Sequence, residues 1–325
     1  MIVFYRQITD IDTMSAFAFV FPGQGSQSVG MLDAWEGNAA VAETLAEASD
    51  ALHEDVARLI HEGPKEALAL TTNTQPVMLA AGVACWRAWK AAGGAQPVAV
   101  AGHSLGEYTA LVAAGALTLA QAMPLVRLRA AAMQEAGPVG AGAMAAVLGL
   151  DAERMRAVCA EVAAAGSNVV EAVNFNDPLQ TVIAGAKDAV ERACAALKAA
   201  GARRALPLPV SAPFHSSLMQ PAAEKLKAAL ADIALSAPQI PVVNNVDVAV
   251  ETEPERIRDA LYRQAASPVR WVECIQKIRA MGAQSIIECG PGKALLGMTR
   301  RIDPQAGAAA IFDPATLAEA QSLVA

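Results

Sequence analysis

The sequence predicts an α/β protein in which a large unit built on a parallel sheet is interrupted by a small unit of β-α-β-β-α-β order. Three observations carry this. The runs "AFAFVF", "PVAVAG", "PVVNNV" and "SIIECG" are short and apolar and are separated by longer helical patterns, as strands buried on both faces read. Between residues 140 and 211 the rhythm changes to a compact alternation of its own. Hydrophobic residues make up 54% of the 325 residues and aromatics only 4%, so the core is mostly Ala, Val, Leu and Ile, which suits helices packed on a sheet.

Along the chain, residues 16–21 form a strand that ends at Pro22, and "GQGSQSVGM" follows as a glycine-rich loop entering a helix. "NAAVAETLAEASDAL" is helical, as is the stretch from "EALALTT" to "RAWKAAG", which is expected to break near residues 73–76. "PVAVAG" is a central parallel strand, and "GEYTALVAAGALTLAQAM" is the helix after it.

Residues 140–211 read as strand "AMAAVLGL", a helix capped by Asp151, strands "VVEAVNF" and "LQTVIAG" around the turn "NDP", helix "AKDAVERACAALKAAG" and strand "ARRALPLPV". That order is the split βαβ of a small ferredoxin-like domain, inserted into the larger one. Helix "PAAEKLKAALADI", strand "PVVNNV", two more helices, strand "SIIECG" and a last helix "PGKALLGMTRRI" then resume the α/β alternation. The expected division is 14–139 with 212–325, and 140–211 inserted. Residues 1–13 precede the first strand as an extension left out of the fold.

A net charge of -7 argues against a nucleic-acid partner, which requires a clustered basic surface. The five cysteines are widely spaced and include no CxxC, so neither a disulfide framework nor a zinc site is indicated, and a reducing cytoplasm fits. No apolar run approaches the roughly 18 residues of a membrane span, and the opening residues do not read as a signal peptide.

The chemistry centres on Gly102-His103-Ser104-Leu105-Gly106, a G-x-S-x-G turn with a strand before it and a helix after it. This is the nucleophile elbow of an α/β-hydrolase-like domain: the glycines make room for a tight reversal, and the hydroxyl stands at a helix N-terminus where negative charge is favoured. A serine needs a base. Of the four histidines, His53 and His61 lie in an acidic amphipathic stretch and His103 is locked beside the serine, which leaves His215 in "PVSAPFHSSLMQPA". No carboxylate stands out to orient it; Asp177, Asp188 and Glu191 belong to the inserted unit.

"GQGSQS" departs from a dinucleotide loop at Ser28, so its backbone fits better as part of an oxyanion hole with the N–H of Leu105. Arg127 and Arg129 lie two apart on an otherwise apolar helix and so face different sides; one buried arginine beside a serine nucleophile would call for an anionic substrate group.

Together "FPGQGSQSVGM", "TQPVMLA", "AGHSLGEYTALVAAGAL", "RAAAMQEA", "GAMAAVLGL", "VNFNDPLQTVIAG", "LPVSAPFHSSLMQPAAEKL" and "ECGPGKALLGMTRRI" resemble the malonyl-CoA:acyl carrier protein transacylases of type II fatty acid synthesis and the acyltransferase domains of polyketide synthases. The resemblance runs from residue 14 to about residue 302. It implies Ser104 as the acylated nucleophile, His215 as its base, and the backbone N–H groups of Gln24 and Leu105 as the oxyanion hole. It also implies Arg129 as the ligand of the malonyl carboxylate and the main-chain carbonyl of Gln264 as the group that orients the imidazole.

By the same resemblance, Phe214 accompanies malonyl over methylmalonyl choice. The resemblance implies as well that no cofactor is bound, that a coenzyme A thioester is the substrate and that acyl carrier protein is the partner, for whose docking Lys198, Arg203, Arg204, Arg300 and Arg301 are basic candidates. A serine thioesterase, an acyltransferase for another extender unit and a non-catalytic carrier-binding protein are the alternatives.

Overall fold

The computed structural model of the chain describes residues 15–137, 140–166, 168–210 and 212–325. The 1–13 extension and the unit limits set at 14, 139 and 211 lie outside the described residues. The described strands are β1 (Phe17–Phe21), β2 (Ala99–Gly102), β3 (Gly142–Leu148), β4 (Val170–Asp177), β5 (Gln180–Ala186), β6 (Arg204–Pro207), β7 (Val242–Val243), β8 (Ser285–Cys289) and β9 (Gly307–Ile311). They form two sheets.

The first sheet runs β7-β2-β1-β8-β9, with every neighbouring pair parallel. All five residues of β1 are buried, as a parallel strand covered by helices on both faces requires. Period-two alternation sorts its side chains. Phe17 and Phe19 meet Trp86 and Trp89 of the helix Thr71–Ala91 with ring centroids 5.2 to 5.7 Å apart, while Ala18 and Val20 pack on the other side with Trp271 and Ile275.

The second sheet runs β4-β5-β3-β6 and is antiparallel. Ala145 and Val147 of β3 face the helices Ala152–Gly166 and Lys187–Ala199. The alternate residues Met144 and Ala146 turn the other way, onto Met133, Ala212, Phe214 and Met219. One face of the antiparallel sheet therefore packs on residues 132–133 and 212–222, and β4 is joined to Val269 by backbone hydrogen bonds from Phe175 N–H to Val269 and from Val269 N–H to Val173.

Several elements differ from the sequence pattern, and the stretch read as one helix after "PVAVAG" is two, Gly106–Ala113 and Leu119–Ala136, parted around Gly115 with its φ of 75°. The helical stretch breaks at residues 69–70 and not at 73–76; the helix Thr71–Ala91 carries Pro76 in its second turn. The run "PVVNNV" is a strand only at β7, because Asn244 and Asn245 leave the ladder and hydrogen bond elsewhere. The strand β9, of small residues, and the helix Pro314–Val324, whose first turn is closed by an Asp313 capping box, complete the parallel sheet.

Candidate active site

Ser104 sits between β2 and the helix Gly106–Ala113 in left-handed backbone, with φ of 52°. The flanking glycines are there for space. A Cβ on Gly102 would stand 1.8 Å from the Gly106 carbonyl carbon, and one on Gly106 would stand 2.1 Å from the Phe21 carbonyl oxygen. The turn is thus wedged against the end of β1, which also brings in the Gln24 loop: a Cβ on Gly23 would lie 2.6 Å from the His103 carbonyl oxygen.

His215 follows the last strand of the antiparallel sheet, ahead of the short helix Ser217–Met219 and again in left-handed backbone, with φ of 64°. Its Nε2 lies 2.7 Å from the Ser104 hydroxyl, and its Nδ1 lies 3.0 Å from the main-chain carbonyl of Gln264, the last residue of the helix Pro254–Gln264. A carbonyl only accepts, so Nδ1 carries the hydrogen and Nε2 presents a lone pair to the hydroxyl proton. Burial, helped by the positive charge of Arg129, holds the imidazole down to about 3, so it is neutral at ordinary pH. His103 faces elsewhere; its Nε2 meets Asn176 Oδ1 at 2.8 Å.

Arg129 projects from the helix Leu119–Ala136 and is only 1% exposed. Nη1 donates to Gln75 Oε1 at 2.6 Å, and Nη2 donates to the Ser104 hydroxyl and to Gln264 Oε1, both at 3.0 Å. Nε has no partner among the described residues. The Tyr108 ring lies 5.4 Å from the guanidinium carbon. This buried cation is held by neutral oxygens and an aromatic face, with no carboxylate of the described residues in hydrogen-bond reach, and such a site favours an incoming carboxylate. Arg127, two residues away, instead pairs with Glu54 and Asn73 outside this cluster.

A cavity of about 410 Å³ joins these groups, and its wall includes Gln24, Leu105, Arg129, His215 and Phe214. Three participants carried no clear signal in the sequence. Gln75 is a single amide on an apolar helix, and Gln264 contributes its side chain as well as its carbonyl, with Nε2 donating to the Ser104 carbonyl at 2.9 Å. Asn245 accepts from Ser104 N–H and donates to the Gly102 carbonyl, each at 2.8 Å; the paired asparagines after β7 were the only hint.

Residues 18–304 match the family model described as acyl transferase domain. The malonyl CoA-acyl carrier protein transacylase of Salmonella typhimurium is 54% identical over 94% of this chain and 99% of its own length. The crystal structure of the acyl-carrier-protein S-malonyltransferase from Burkholderia pseudomallei superposes with a TM-score of 0.93 at 64% identity, covering 94% of this chain and 99% of that one. A malonyl-transacylase solved in complex with its type II polyketide synthase acyl carrier protein has a TM-score of 0.93 at 52% identity, over 95% and 99% of the two chains. With a match to the family over most of its length and close relatives that agree with it, the chain belongs to the acyl transferase family, among its malonyl CoA-acyl carrier protein transacylases.

Proposed function

We propose that the chain moves a malonyl group from malonyl-CoA to the phosphopantetheine thiol of acyl carrier protein through a malonyl-Ser104 intermediate. The observation that carries this reading is that Arg129 and His215 converge on one hydroxyl, at 3.0 and 2.7 Å, from opposite elements. His215 Nε2 takes the hydroxyl proton as Oγ attacks the thioester carbonyl. The oxyanion that forms is stabilised by the backbone N–H groups of Gln24 and Leu105, and its collapse expels coenzyme A, which leaves with the proton. The carrier thiol then gives its proton to Nε2 and displaces serine from the ester, and the Ser104 oxygen recovers that proton from Nε2 as it leaves.

A thiol leaving group with an ordinary pKa of about 8.5 needs little protonation, so a carbonyl-oriented imidazole suffices where other hydrolases place an acid. Arg129 holds the malonyl carboxylate, and Phe214 narrows the cavity against a branched acyl group. Coenzyme A thioester is substrate, and the cycle as read uses no bound cofactor.

In the same reading the parallel-sheet unit, about 14–139 with 212–325, is α/β-hydrolase-like, and the unit at 140–211 is a ferredoxin-like insertion. The strand, elbow and helix around Ser104 support the first, and the order β4-β5-β3-β6 supports the second. The setting is the cytoplasm; no helix among the described residues is long and apolar enough to cross a membrane.

Intact mass spectrometry tests the reaction. Malonyl-CoA alone is expected to leave one stable malonyl adduct that is absent in Ser104→Ala and is discharged by holo acyl carrier protein. An adduct lost to water at the same rate without the carrier would make the protein a hydrolase instead.

A further inference from the structure

Glu107 lies on the first turn of the helix Gly106–Ala113, beneath the elbow, and is 2% exposed. Its Oε2 accepts from the backbone N–H of Asn245 and from Nε2 of Gln264, each at 2.9 Å. Both donors are neutral amides, and burial pushes this carboxyl up to about 7 against their pull and that of the nearby Arg129 charge, an arrangement that an apolar residue would ordinarily better. Both donors also return to the reacting groups. Asn245 holds the N–H of Ser104 and the carbonyl of Gly102. Gln264 holds the carbonyl of Ser104 by its side chain, orients His215 by its main chain and receives Arg129 on Oε1. The peptide groups on the two sides of Ser104 are thus gripped by two amides that share one anchor.

Resting on the acyl-serine reading above, we propose that Glu107 is a positioning residue: its carboxylate oxygen sets Asn245 and Gln264 in the register that keeps Ser104 left-handed and His215 aimed at its hydroxyl. Left-handed backbone is disfavoured for serine by its Cβ and persists where the surroundings over-determine it. Two donors meeting on one buried carboxyl oxygen tie both amides to a single point, so neither can shift without the other. Glu107 touches neither substrate nor proton. It does at one remove what a triad acid does directly, fixing the element that orients the base.

Modification of Ser104 by phenylmethylsulfonyl fluoride, in which the hydroxyl displaces fluoride, reads the alignment of nucleophile and base without malonyl-CoA. Ser104→Ala serves as the blank. A parent that is not modified at Ser104 would refute the acyl-serine reading, whereas the variants test the positioning alone. Among variants that are folded by circular dichroism, Glu107→Asp keeps the charge but withdraws the oxygen by a methylene, and it is expected to slow modification about thirtyfold. Glu107→Gln keeps an acceptor oxygen in place and is expected to slow it only about threefold.

If Glu107→Asp does not fold, Asn245→Ala, which cuts one arm of the grip, is expected to slow modification about tenfold. Modification of Glu107→Asp at the parental rate, or of Glu107→Gln as slowly as Glu107→Asp, would overturn the proposal, as would a folded Asn245→Ala at the parental rate.

Discussion

Arg129 places Nη2 3.0 Å from the hydroxyl oxygen of Ser104, so a buried guanidinium with no carboxylate of the described residues hydrogen bonded to it adjoins that hydroxyl. A bound malonyl group would supply a carboxylate within the cavity. Arg129→Ala is expected to slow acyl-enzyme formation from malonyl-CoA at least about a hundredfold, the usual loss when one partner of a buried charged pair is cut away. Acetyl-CoA, which has no carboxylate, should lose far less. Parallel acylation rates with the two thioesters check this, and a malonyl preference retained in the variant would remove the role given to Arg129.

The elbow leaves no room for a methyl group. A Cβ on Gly106 would sit 2.1 Å from the Phe21 carbonyl oxygen, and because its nearest neighbours are backbone atoms of Phe21 and Pro22, no side chain can simply swing aside. Gly106→Ala is expected to lower stability by about 3 kcal/mol or more and to abolish acylation, because the turn can relieve the contact only by moving Ser104. Gly37→Ala is a useful comparison, since nothing lies within 4 Å of a Cβ there, although its φ of 80° still strains alanine. Urea unfolding of the two variants would show whether the loss at Gly106 exceeds that strain.

His215 links the site to acid sensitivity. Folding holds its imidazole down to about 3, from an ordinary 6.5, chiefly by burial. Between those values the unfolded chain binds the proton and the folded one does not, so stability is lost as pH falls below 6.5. His215→Gln removes that contribution, and the stability of the variant relative to the parent should improve by about 3 kcal/mol between pH 7 and pH 4. Urea unfolding at the two values checks the sign; an unchanged difference would mean that the imidazole is not held neutral.

What was legible in the sequence is what repeats or stands alone. β1 and the β-α-β-β-α-β run showed in period and spacing, and Ser104 and His215 showed because a glycine-bracketed serine is rare and histidines are few. β9 did not show, because "GAAAI" has almost no β-branched content. The helix Thr71–Ala91 runs through Pro76, where the sequence pattern places a break, because packing of its apolar face against β1 outweighs the one missing donor. Two arginines two residues apart could be split into one buried and one solvated, but which was which depended on the resemblance. Gln264 orients the imidazole through a carbonyl that every residue possesses, so its position alone distinguishes it. Gln75, Asn245 and Glu107 are single polar residues, and sequence does not say whether such a residue faces water or a buried partner.

Glu288 offers a test of the opposite sign from His215. It is fully buried at the end of β8, where Oε2 accepts from the backbone N–H of Leu296 at 2.8 Å in the first turn of the helix Ala294–Ile302, while Oε1 has no partner among the described residues. Burial pushes its carboxyl up to about 7, from an ordinary 4.5, against the pull of the helix N–H groups. Here the folded state binds the proton first. Stability therefore rises as pH falls from 7 toward 4.5, and the charged carboxylate destabilises the fold above 7. Glu288→Gln keeps an acceptor for Leu296 and removes the charge, so it should stabilise the protein by about 3 kcal/mol at pH 8 and by little at pH 4.5. Urea unfolding at both values decides it, since an equal gain at the two would trace the effect to packing and not to ionisation.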